Sequence, residues 1–117
     1  MDTDSILGSI KKQLGLNEHQ DNFDQDIIMP INSAFTTLEQ LGLGPKEGFS
    51  IKSKDEKWSD FIDNINEHEW VKTYIFLKVN LVFDPPLSST TIEMMKEQIR
   101  EYEWRINVKV DNKEAFE

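Results

Sequence analysis

The stretch from Trp70 to Phe83 constrains this chain more than any other. In Trp70-Val71-Lys72-Thr73-Tyr74-Ile75-Phe76-Leu77-Lys78-Val79-Asn80-Leu81-Val82-Phe83 only Lys72, Thr73, Lys78 and Asn80 are polar. At helical spacing Val71, Tyr74, Ile75, Val79 and Val82 share one face, and Trp70, Leu77 and Leu81 lie beside it. Such a helix is apolar around most of its circumference, as expected where neighbours or other subunits enclose it. Val, Ile, Tyr and Phe also favour strands, but the run exceeds the ~4–8 residues usual for one. Pro85-Pro86 ends the element, because proline cannot extend the hydrogen-bond ladder and pushes the preceding residue out of helical geometry. The spacing predicts a central helix.

Elements on either side have weaker patterns. Ile6, Leu7, Ile10 and Leu14 predict a short helix over 4–14, with Lys11 and Lys12 where cations suit the dipole, and Gly15-Leu16 as its stop. Gly8 weakens it. Asn17 to Asp26 is acidic, yet it lacks the Gly and closing Glu of a calcium loop. It reads instead as a linker, with Asp24 capping the next helix and Asp26 in its first turn. Ile27, Ile31, Ala34, Leu38 and Leu41 form an amphipathic stripe widened by Ile28 and Phe35, with a kink or a start expected near Pro30. Gly42-Leu43-Gly44-Pro45 ends it.

Lys46 to Lys57 alternates Phe49 and Ile51 with polar residues, which suits an extended loop or short strand. Its lysines are offset by acids, so it makes a poor nucleic-acid patch. As an exposed loop with two apolar residues it is a candidate partner contact. Trp58, Phe61, Ile62 and Ile65 predict a short helix, separated from the central one by Asn64-Ile65-Asn66. His68 between Glu67 and Glu69 lacks the converging ligands of a metal site, and His19 has no partner at useful spacing.

After the prolines, Ser88, Ser89 and Thr90 offer N-caps, and Thr90 to Glu93 fits a capping box. Ile92, Met95, Ile99, Tyr102 and Ile106 make a narrow seam opposite a charged face, on which Glu101 and Arg105 are spaced to pair. Trp104 lies off the seam, either packed within the chain or serving as an interface anchor. From Val108 the helical period is lost. The expected organisation is a helical domain over 1–107 and a C-terminal tail over 108–117, ordered only by a partner if at all.

The 117 residues suffice for one domain with a core, although 38% hydrophobic content keeps that core modest. The formal charge of −9 argues against gripping DNA phosphates. Cysteine is absent, which removes disulfides and thiolate metal sites. No apolar run is long enough for a membrane span, and Met1-Asp2-Thr3-Asp4 lacks the basic start of a signal peptide. No phosphate loop, metal cluster or activated nucleophile is legible, and pairing among 22 carboxylates cannot by itself nominate an acid–base couple. These observations predict an all-α fold, a small bundle of about four to five helices with one extended loop or short β segment near 46–57.

Four stretches taken together carry a resemblance. They are Ile31-Asn32-Ser33-Ala34-Phe35; Leu38-Glu39-Gln40-Leu41-Gly42-Leu43-Gly44-Pro45; Val71 to Val79 continuing to Phe83-Asp84-Pro85-Pro86; and Glu103-Trp104-Arg105-Ile106-Asn107. In order and spacing the chain resembles, over about residues 5–107, the head–tail connector (adaptor) proteins of long-tailed bacteriophages and prophages. The resemblance implies a non-catalytic virion subunit without cofactor or metal, made in the host cytoplasm. It further implies a homo-oligomeric ring of about twelve copies under the portal protein, extending the DNA channel and docking a stopper or tail protein. The expected interface residues are Phe49 and Ile51, Trp70 and Tyr74, Trp104 and Arg105, and Val108, Val110 and Phe116 of the tail. Two other readings fit the composition less well: an acidic DNA mimic that inhibits a nucleic-acid-binding enzyme, and a small metal-dependent hydrolase.

Overall fold

The computed structural model of the chain describes residues 5–17, 19–62 and 65–115, with 65–68 and 109–115 as backbone only. Among these residues it is all-α. Helix α1 spans Ile6–Gln13, α2 Asp24–Gln40, α3 Trp58–Phe61, α4 Ile65–Phe83 and α5 Ser89–Ala115.

The stops are local and follow from sequence. Gly15, at φ 81°, and Gly42, at φ 93°, take the left-handed conformation that glycine enters without steric cost. Around them Gly15 N–H bonds Lys12 O and Leu16 N–H bonds Lys11 O, while Gly42 N–H bonds Glu39 O and Leu43 N–H bonds Leu38 O. Both are Schellman caps, and Leu16 and Leu43 fold back on the core.

The starts differ from expectation. Phe23 occupies the N-cap of α2, so Asp24 is its first helical residue, and Asp24 Oδ1 instead holds the buried ammonium of Lys11 at 2.8 Å. Lys11 also donates to the Gln20 carbonyl, which leaves its buried charge paired and hydrogen-bonded. For α5 the cap is Ser88, whose Oγ accepts from Thr91 N–H at 3.3 Å, rather than a Thr90–Glu93 box. Pro30 lies inside α2, where it removes one ladder donor without ending the helix. Ile65 begins α4 and does not extend α3.

The core is built on α2 against α4. Ile27, Ile31, Ala34, Phe35 and Leu38 on one side meet Val71, Tyr74, Ile75 and Val79 on the other, all fully or almost fully buried. Side chains of this size each gain about 1.5–3 kcal/mol on burial. Helix α1 adds Ile6, Leu7 and Ile10, and the single turn of α3 adds Trp58 and Phe61. The segment 46–57 is an extended loop, and its β character is limited to one isolated bridge between Ser5 and Lys57. It is nevertheless fastened at two points, and the turn of α3 that follows it at a third. Asn32 Nδ2 donates to Ile51 O at 2.9 Å and Asn32 Oδ1 accepts from Ile51 N–H at 2.7 Å. Ser5 Oγ donates to Lys54 O at 2.7 Å, and Trp58 Nε1 donates to Ser9 Oγ at 2.8 Å.

Helix α5 turns back along α4 after the two prolines. Its backbone stays helical to Ala115, where the sequence pattern predicted loss of helix from Val108. At 27 residues it is about 40 Å long and outruns the helices it packs beside. The radius of gyration, 14.5 Å, accordingly exceeds the roughly 13 Å expected for a compact domain of this length.

Replacing Asn32 with Ala strands the Ile51 amide and carbonyl together. The expected cost is about 1–3 kcal/mol in urea unfolding, whereas a Gln25→Ala change at an exposed position alters stability by less than about 0.5 kcal/mol.

Candidate interaction surface

Polar chemistry inside the fold is devoted to holding it together. The Tyr74 hydroxyl donates to Glu103 Oε2 at 2.7 Å, and Lys78 Nζ lies 3.8 Å from the same carboxylate. Lys78 also sits 5.6 Å from the centre of the Tyr74 ring. Burial, and then the Glu103 hydrogen bond and charge, push the Tyr74 hydroxyl far above the ordinary tyrosine value, so it stays protonated. This cluster fixes the register of α5 on α4, with Trp70 stacked on Tyr102 at 5.9 Å beside it. Among the described residues Glu56 is the other perturbed group. Burial opposes its charge, but hydrogen bonds from the backbone N–H groups of Lys52 and Ser53 outweigh this and hold its carboxyl below the usual range.

Among the described residues no buried side-chain donor or acceptor lacks a partner. No group of three or more His, Cys, Asp or Glu there is placed to hold a metal ion. The His19 backbone N–H donates to Asn17 Oδ1 in a local turn, and the His68 side chain lies outside the described residues. No described helix is long and apolar enough to cross a membrane.

The predicted interface residues divide into three sets. Ile51 and Tyr74 are buried in the core, and Phe49 packs edge-on against Phe35 and Phe61 at 4.9 and 5.4 Å. These three hold the fold and are not presented outward, because the loop turns its apolar side chains onto α2. Trp70 is half-buried against Tyr102. Trp104, 65% exposed, and Val108 stand on the outer surface of α5, near Arg105, whose guanidinium binds Glu101 at 2.6 Å. Val110 lies on the helical backbone without a described side chain, and Phe116 lies outside the described residues.

Exposed apolar side chains that the sequence reading missed are Phe23, Met29, Val82, Leu87 and Met94. Val82 was placed on the buried face of α4, but there α4 borders an open groove with Met29, Pro30 and Ser33 of α2, and Val82 is 71% exposed. Met29 was detectable in principle, since it lies off the Ile27–Ile31 stripe.

A helical chain whose described polar interior is structural, and which leaves Met94, Trp104 and Val108 exposed along one helix, offers surface for contact with other chains. More particularly, this chain belongs to the phage connector protein family, whose model matches residues 6–113. Comparison with curated proteins and with solved structures returned no match. Family membership makes the chain a structural connector of the phage particle, working at the head–tail interface with other phage proteins.

Because the folded-state value of Tyr74 is raised above the ordinary 10.0, its contribution is complete below that pH and is lost as pH rises through the folded value. Denaturant unfolding of the wild type should therefore weaken as pH rises above about 10, and Tyr74→Phe should flatten part of that fall. At neutral pH the same variant should lose about 1 kcal/mol, since the half-exposed Glu103 regains water in place of the hydroxyl.

Proposed function

We propose that copies of this chain assemble into a ring under the portal protein, extend the DNA channel, and dock the next head-completion stopper or tail protein. The observation that carries this reading is family membership over residues 6–113. Two features of α5 support it. The helix packs within the chain chiefly on α4, through Ile99, Tyr102 and Ile106, and its outer face carries Trp104, Met94 and Val108 exposed to solvent. Trp in particular is enriched among residues that dominate binding energy.

In this reading α4 and α5 form the ring scaffold, and the segment from Val108 reaches the portal. DNA passes without sequence-specific binding. Acidic side chains of a chain with formal charge −9 face the channel and discourage the DNA from adhering, because like charges repel.

Pull-down on the portal protein encoded in the same phage genome tests the assignment of the C-terminal segment. The full chain is expected to be retained, and a chain ending at Asn107 to be lost from the portal while keeping its helical circular dichroism. Equal retention of both would sink the assignment.

A further inference from the structure

Two connections of this fold are held very differently. The 46–57 loop is tied to α2 by the paired hydrogen bonds of Asn32 with Ile51, and to Ser5 through Lys54. The turn from α4 to α5, Asp84-Pro85-Pro86-Leu87-Ser88, has no such ties. Asp84 N–H closes the last turn of α4 on Asn80 O, and Ser88 accepts from Ile92 and Thr91 N–H in the first turn of α5. Among the described residues no hydrogen bond reaches Pro85, Pro86 or Leu87. Asp84, Pro85, Leu87 and Ser88 are exposed, Leu87 completely. A proline biases the residue before it toward extended backbone, so Asp84 and Pro85 both favour a straight path where the chain reverses.

What α5 contributes to the chain is narrow. It packs chiefly on α4, and Ile99 and Ile106 alone are buried among its described side chains. Tyr102 lies half-buried on Trp70 and Tyr74, with ring centroids at 5.9 and 6.4 Å. Glu103 completes the contact, accepting from the Tyr74 hydroxyl at 2.7 Å and lying 3.8 Å from Lys78 Nζ. The ties that join the other elements, Lys11 to Asp24, Asn32 to Ile51 and Trp58 to Ser9, do not involve α5. The helix can therefore leave as a unit.

Leaving has a consequence that selects the partner. A lone chain with α5 detached uncovers Tyr74 and Trp70 and puts Ile99 and Ile106 into water, so an isolated copy keeps α5 closed. A second copy in the same open state offers an α4 face identical in every side chain, and α5 of the first regains there each contact it gave up. Reach permits it. The five residues between Phe83 and Ser89 span up to about 17 Å when extended, roughly twice the 8–10 Å that separates the axes of packed helices.

We propose that in the assembled protein α5 packs on α4 of the adjoining copy rather than on its own. The inference rests on the self-association proposed above and names the surfaces that meet: the Ile99–Tyr102–Ile106 seam of one chain and the Tyr74–Lys78 face of the next. Exchange of an identical element restores the contacts of the closed chain, so it costs little beyond association itself. It also lets the hinge take the extended form its prolines favour. When each copy hands α5 onward in the same direction, the contact is heterologous and can close into a ring.

The chain has no cysteine of its own, so K78C/E103C places a single thiol pair across the α4–α5 contact for a short, reducible bis-maleimide. Linked in dilute solution, the full-length variant should give an intrachain product. Linked after assembly on portal rings, it should lose that product and give a ladder of joined chains extending past the dimer; the loss separates exchange from links between unexchanged neighbours. A chain linked closed beforehand should add no ring to the portal, and reducing the linker should restore assembly. Unchanged helical circular dichroism checks that the variant is folded, and W70C/Y102C, on the adjacent aromatic stack, stands in if it is not. An intrachain product that persists in the assembled ring, or a pre-linked chain that assembles as the unlinked one does, overturns exchange and leaves the ring standing. A ladder that stops at two chains supports exchange and overturns the ring. A chain that never assembles, even on the portal, overturns both.

Discussion

The contact of α2 with α4 is the interaction on which the rest of the molecule depends. It gathers many of the large fully buried side chains, Phe35, Leu38, Tyr74 and Ile75 among them, and each neighbouring element is fixed relative to it. Helix α1 reaches it through the Lys11–Asp24 pair, the loop through Asn32, α3 through the contact of Phe61 with Phe35 at 4.7 Å, and α5 through Tyr74. A single well-packed pair thus positions a rigid loop at one place and a free helical face at another. That division suits a protein whose task is to be held by neighbours rather than to transform a substrate.

Helix α5 shows the cost and the use of this arrangement. It buries Ile99 and Ile106 and shares the Tyr74–Glu103 hydrogen bond, yet most of its described side chains face solvent. Its exposed ion pairs, Lys96–Glu93, Arg100–Glu97 and Arg105–Glu101, each contribute only a few tenths of a kcal/mol. A helix so sparsely packed within its own chain is a natural place for another subunit to add burial.

Features set by local geometry were legible in the sequence. The glycine stops at Gly15 and Gly42, the core face from Val71 to Val79 and the proline end of α4 need only neighbours within a turn or two, and the fold class followed from them. Contacts between distant residues were not legible. Asp24 faces Lys11 across 13 positions, and Asn32 grips Ile51 across 19. No periodicity encodes either pairing, so Asp24 was read as a cap and Ile51 as a surface residue. Val82 continued the apolar pattern of α4, and only the course of α2 shows that the pattern outruns its cover. The helix beyond Val108 was missed for the converse reason. The backbone is helical there although the sequence carries no apolar stripe at helical spacing. Of the candidate surface, Trp104 and Val108 could be found as apolar residues off the seam, but the groove beside Met29 required the coordinates.

The central claim is that this chain is a connector subunit which assembles on the portal. Negative-stain imaging of intact portal rings mixed with the full-length chain tests it most directly. The account predicts an added ring of density, coaxial with the portal and on one of its faces. Bare portal rings at saturating protein would contradict it.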